Sequence, residues 1–151
     1  MRLFLIIVLA ATVAALLPAV AGADRVYHSE HLSLAPVSGA PLRSGFVENI
    51  KAEGPRVYAH EIFHVNGARA RTTYTVTRNF FFLDPECSGQ LVFLSDVATL
   101  RTNLSGNARG DVFVRPSEVE GFEGVHGVRW TVQDASGAIA YQTRCTAVTL
   151  D

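Results

Sequence analysis

The sequence predicts an all-β fold, an antiparallel sandwich of about 7–9 strands closed by one disulfide. Three observations point there. Short runs rich in Val, Thr, Phe and Tyr recur along the chain, separated by Gly, Pro, Asn and Asp. Several of these runs alternate apolar and polar residues with the period of two that a half-buried strand requires. The chain has only two cysteines, and it opens with a segment patterned for export.

That opening segment is residues 1–23. Arg2 is followed by an apolar run from Leu3 to Leu17 and then by Pro18-Ala19-Val20-Ala21-Gly22-Ala23. A charged start, an apolar middle and a small-residue exit are the order of a secretory signal peptide. The run is about 15 residues long, short of the roughly 20 that a helix needs to cross a bilayer. The expectation is a secreted, extracellular protein with no membrane span once the leader is removed. In that compartment Cys87 and Cys145 are expected to pair. The bridge would close a loop of about 59 residues, worth about 4 kcal/mol in loop-closure entropy, and is expected to lock the two layers together.

Residues 24–42, with Gly39, Pro36 and Pro41, are expected to form an extended lead-in with a short strand near His31 to Leu34. The sandwich domain is placed at 43–151. Its first run, Phe46 to Ile50, ends at Glu53-Gly54-Pro55, and its second, Val57 to Val65, ends at Asn66-Gly67. The third, Thr72 to Leu83, is dense in residues that fit a pleated surface. Tyr74, Val76, Phe80 and Phe82 share one face of it, interrupted by Arg78. Gln90 to Leu94, Val97 to Thr102 and Val112 to Val114 follow. Ser117 to Phe122 is the one helical candidate, with Ser117 and Glu120 at capping-box spacing. In Val125 to Val132, the residues His126, Val128, Trp130 and Val132 share a face, which puts Trp130 at the centre of the core. In the last run, Ala138 to Leu150, unbroken alternation groups Ile139, Tyr141, Thr143, Cys145, Ala147 and Thr149 on the inner face.

The segment Ala68-Arg69-Ala70-Arg71-Thr72-Thr73-Tyr74-Thr75-Val76 resembles the turn-into-strand corner of fibronectin type III and related immunoglobulin-like domains. In those domains a Thr two residues before a Tyr enters a strand, and the Tyr hydroxyl ties back to the preceding corner. Thr72 and Tyr74 fit, and Ala70 stands where the family usually has Pro. The resemblance implies an immunoglobulin-like sandwich, and a role in binding or spacing. Fold alone does not give function.

Charge excludes little beyond the obvious. Without Arg2 the chain carries 12 of its 13 basic residues against 14 acidic ones, a weak negative balance that offers no attraction to nucleic acid. The expected partner is a protein or cell-surface ligand. No cofactor-binding motif is present and no cofactor is expected.

Candidate chemistry is sparse. His60-Glu61-Ile62-Phe63-His64 carries the spacing of the His-Glu-x-x-His zinc motif, which needs a helix to bring its two imidazoles together. The surrounding pattern is that of a strand, on which the rings would stand about 13 Å apart. His60, His64 and His126 are therefore candidates for a metal site only if the fold makes them converge. No Gly-x-Ser-x-Gly nucleophile elbow occurs, and the carboxylates Asp84 and Glu86 sit in a turn where capping of the backbone is the ordinary role. Phe81, on the polar face of its strand, is a candidate contact for a small hydrophobic ligand. Arg69 and Arg71 flank a turn and are candidates for an acidic partner. Asn103-Leu104-Ser105 is a glycosylation sequon. The expected function is non-enzymatic binding, with metal binding or carriage of a small hydrophobic ligand as alternatives.

Overall fold

The computed structural model describes residues 28–37, 39–54 and 56–150; the expected leader, 1–23, lies outside them. Among the described residues ten strands form two antiparallel sheets. The strands are β1 (His28–Ser33), β2 (Ala35–Pro36), β3 (Ser44–Lys51), β4 (Ala59–Asn66), β5 (Thr73–Phe81), β6 (Phe93–Arg101), β7 (Ala108–Val114), β8 (Gly124–Gln133), β9 (Ile139–Gln142) and β10 (Thr146–Leu150). The first sheet has the order β1-β3-β4-β7, and the second β2-β9-β8-β5-β6 with β10 also paired to β8.

Among the described residues the chain crosses from one sheet to the other five times, and two of the crossings show how it turns. Leu34 lies between β1 and β2, buried, with its amide donating to the Gly45 carbonyl at 2.8 Å. The lead-in is thus drawn into the sandwich from residue 28 onward, so the fold begins before residue 43. Between β6 and β7 the Asn103 side-chain oxygen accepts the amides of Ser105 and Asn107, which holds a tight reversal. Gly106 sits in that reversal at φ 75°, and a Cβ there would collide with the Ala68 carbonyl.

Alternation decides the core. Tyr74, Val76, Phe80, Val128, Trp130 and Val132 are all buried, and Trp130 is only 1 % exposed. Phe82 is a correction: β5 ends at Phe81, and Phe82 turns outward, 43 % exposed. The last run is a second correction. It breaks at Thr143-Arg144-Cys145 into β9 and β10, and the phase inverts, so that Val148 and Leu150 are buried while Ala147 and Thr149 are exposed. Thr143 makes the break tolerable, because its hydroxyl accepts the Trp130 amide at 3.1 Å and its own amide donates to the Trp130 carbonyl at 3.0 Å. The expected runs 90–94 and 97–102 merge into β6, which carries an irregularity opposite Val76/Thr77. The helical candidate reduces to one 3-10 turn, Pro116–Glu118, closed when the Glu118 carboxylate accepts the Arg115 amide at 3.1 Å. Gly121 and Gly124, both at positive φ, follow too soon for a longer helix.

Cys87 and Cys145 are bonded, with their Cα atoms 5.9 Å apart. The bridge does not join the two layers. It pins the loop after β5 to the break between β9 and β10, and all of these strands belong to the second sheet. The loop lies so close over β8 that a Cβ at Gly127 would fall on the Asp84 carbonyl oxygen and 2.9 Å from the Cys87 sulfur. Gly127→Ala is expected to destabilise the protein by about 1–3 kcal/mol, read as a lower urea midpoint. An unchanged midpoint would show that the loop does not press on β8.

Candidate functional site

A strand sends successive side chains to opposite faces, and β4 shows what that does to the zinc-like motif. Glu61 and Phe63 point into the core and are buried, while His60 and His64 stand half-buried on the outer face of the first sheet. There the rings stack on aromatic neighbours: His60 on Phe113 with centroids 4.1 Å apart, His64 on Phe46 at 4.5 Å. His60 Nε2 also meets the Asp111 carboxylate at 2.9 Å. His126 lies in the other sheet and is fully buried. The Leu83 amide donates to its Nδ1 at 3.0 Å and its Nε2 faces the Phe122 carbonyl at 3.2 Å, so the tautomer with the proton on Nε2 fits both partners. The three candidate histidines are not brought together. No group of three or more His, Cys, Asp or Glu side chains that could hold a metal occurs among the described residues.

Phe81 is buried, and the Arg129 guanidinium lies 5.8 Å from its ring centre. Arg69 and Arg71 are exposed on the turn between β4 and β5, with Arg71 at φ 53°. Asn103 is exposed as well.

The ligand-sized space lies elsewhere, one residue from Phe81. Between the sheets, at one end of the sandwich, is a cavity of about 220 Å³ that opens to solvent. Its walls are apolar. Phe80, Val128 and Trp130 come from the second sheet, Ala59 and Val114 from the first, and Val148 and Leu150 from β10. Val119 and Phe122, in the loop after the 3-10 turn, border it, with Lys51 and Glu118 as charged neighbours. Lys51 Nζ donates to the Thr149 carbonyl at 3.1 Å, tying β3 to β10 across the layers.

The polar part of the lining was legible only in part. Arg78 interrupts an apolar face in the sequence, and the structure explains why it is tolerated. Its Nε and Nη2 donate to the two carboxylate oxygens of Glu61 at 2.8 and 2.9 Å, a forked pair joining β5 to β4 across the sandwich. The Glu61 side chain is 4 % exposed and that of Arg78 15 %. Two further polar atoms, Asn49 Oδ1 and Trp130 Nε1, belong to residues that line the cavity and are buried without a hydrogen-bond partner. No sequence signal marked Asn49; only its inward register position on β3, opposite Glu61, would have found it.

At the other end of the sandwich two tyrosines meet between the sheets, beside a second pocket of about 190 Å³ bordered by Tyr74, Arg69 and Asp134. The Tyr74 hydroxyl meets that of Tyr141 at 3.3 Å, and Tyr141 donates to the Pro41 carbonyl at 2.8 Å. Burial holds the Tyr141 hydroxyl well above the ordinary phenol range. Tyr74 therefore bonds a distant strand and not the corner that precedes it. The corner is tied by Thr102, whose hydroxyl accepts the Thr72 amide at 2.8 Å and donates to the Arg69 carbonyl at 2.6 Å.

With this geometry in view, comparison with known proteins returns nothing: no family model, curated protein or solved structure matches the chain. The two-sheet architecture stands on its own pairing pattern.

Removing one member of the Arg78–Glu61 pair strands a charge between the sheets. Arg78→Met is expected to cost about 3–5 kcal/mol, and Arg78→Met with Glu61→Met together to recover most of it; additive losses in urea unfolding would refute the coupling. His64 gives a pH prediction. Burial first, and then the nearby Arg109 guanidinium, lower its pKa below the ordinary 6.5, with Glu48 opposing. The unfolded chain then binds the proton more readily, so this contribution is complete above 6.5 and declines as pH falls toward the folded value. The urea midpoint should fall less between neutral and mildly acidic pH in His64→Gln than in the parent; equal falls would exclude His64 as a source.

Proposed function

We propose that this chain is an exported, non-enzymatic binding protein that carries a small, mainly apolar molecule in the cavity between its sheets. One observation carries the reading: the cavity is about 220 Å³, apolar on its walls and open to solvent, whereas the second pocket, of about 190 Å³ beside Tyr74, is bordered by Arg69 and Asp134. Protein interiors are close-packed, with few voids larger than a water molecule. A cavity of about 150 Å³ suffices for benzene, and pockets for drug-sized ligands begin at roughly 300 Å³. The ligand is therefore small, on the scale of a substituted benzene ring. The ionisable groups at the floor, Arg78 and Glu61, are bonded to each other, which favours holding a ligand over transforming it. The leader-like start of the sequence and the Cys87–Cys145 bridge support an extracellular setting.

Trp130 is the single tryptophan of the chain and lines the cavity, so its emission reports occupancy. Bromobenzene, a small apolar heavy-atom quencher, should quench it saturably. Val119→Phe, which narrows the cavity from the loop side, should weaken that binding about tenfold, or roughly 1.4 kcal/mol. Quenching that rises linearly, as for indole in solution, would end the carrier reading.

A further inference from the structure

We infer that the molecule held in this cavity is neutral and bears a hydroxyl: a small aromatic or short-chain alcohol. The inference rests on the carrier reading and adds the chemistry of the ligand's head. Buried polar atoms in native proteins are nearly always partnered. Here two are not, both belong to residues that line one cavity, and their demands are opposite. Trp130 Nε1 can only donate, and Asn49 Oδ1 can only accept. Both residues are more than nine-tenths buried, at 1 % and 4 % exposure.

A hydroxyl answers both. Its oxygen accepts the indole N–H, and its own proton goes to the carboxamide oxygen. A carboxylate accepts but cannot donate, so it leaves Asn49 Oδ1 unpaired. An ammonium donates but cannot accept, so it leaves the indole N–H unpaired. A hydrocarbon does neither. Either ion would also need a counter-charge, and the floor offers none, because both carboxylate oxygens of Glu61 are taken by the Arg78 fork. Beyond the floor, Lys51 and Glu118 line the cavity with opposite signs, so the lining favours neither ion. The volume, between a benzene-sized cavity and a drug-sized pocket, leaves space for an apolar body of about one ring with a short arm.

The test uses the oxidised full-length mature protein and four related probes: 2-phenylethanol, propylbenzene (its methyl-for-hydroxyl isostere), phenylacetate and phenethylammonium. Binding is measured by calorimetry, and the single indole N–H resonance is followed by NMR in each complex. The expected result is that 2-phenylethanol binds at least tenfold tighter than either ion, and that the indole proton lies downfield in its complex relative to the propylbenzene complex. Asn49→Leu should weaken 2-phenylethanol about tenfold while changing propylbenzene less than threefold. The wild-type NMR comparison stands even if that variant fails to fold. If propylbenzene binds and the indole proton is the same in both complexes, the hydroxyl inference is overturned and the carrier reading survives. Tighter binding of phenylacetate or phenethylammonium than of the alcohol overturns it in the same way. If none of the four binds, both fail together.

Discussion

Arg78 points inward from β5 at a position where its neighbours on the same face are Tyr74, Val76 and Phe80. A guanidinium between two apolar layers is tolerated only with a carboxylate placed to receive it. Glu61, inward on β4 in the opposite sheet, meets it with both oxygens. Most of what distinguishes this sandwich depends on that contact. The forked pair joins the layers at a point where two apolar side chains would otherwise close on each other. Such a pair is weak evidence for stability, since its desolvation offsets much of its attraction. Its clearer effect is geometric: it sits at the boundary between a packed cluster and the cavity. On one side Phe63, Val65, Tyr74, Val76, Val132 and Tyr141 pack together; on the other, the cavity begins.

The cavity is held open by elements that are each anchored elsewhere. β10 lines it only because the last run breaks at Thr143, which inverts the phase and turns Val148 and Leu150 inward. The break is fastened by the disulfide at Cys145, and the other sulfur belongs to a loop with two residues at positive φ, Leu83 and Cys87. His126 accepts the Leu83 amide, and Asp84 accepts those of the turn that follows. The Gly89 amide is the main reason the Asp84 carboxyl stays below its ordinary pKa range. The bridge thus acts within one sheet, setting where β10 starts and, through it, one wall of the cavity.

The candidate site was partly legible. The phenylalanine run drew attention to the right stretch of β5, but Phe81 lies on the far face from the cavity and Phe80 on its wall. Arg78 was visible as an interruption of an apolar face. Its partner was not, because Glu61 sat inside a motif whose spacing suggested metal chemistry. The strand separates that motif, sending the carboxylate inward and both imidazoles outward. The Thr72–Tyr74 segment does enter a strand as its resemblance implied, yet the hydroxyl of Tyr74 is claimed by Tyr141, which is 67 residues away.

Alternation along a short strand is a property of the pleated backbone itself, so the sequence alone determined the inward faces of β5 and β8, the burial of Trp130 and the all-β class. The count of two cysteines determined which sulfurs could pair. Which strands lie in which layer, where the last run loses phase, what Arg78 meets and where the sandwich fails to fill are settled by register between segments distant in the chain. A side chain's direction is local; the atom waiting for it across the layers is not.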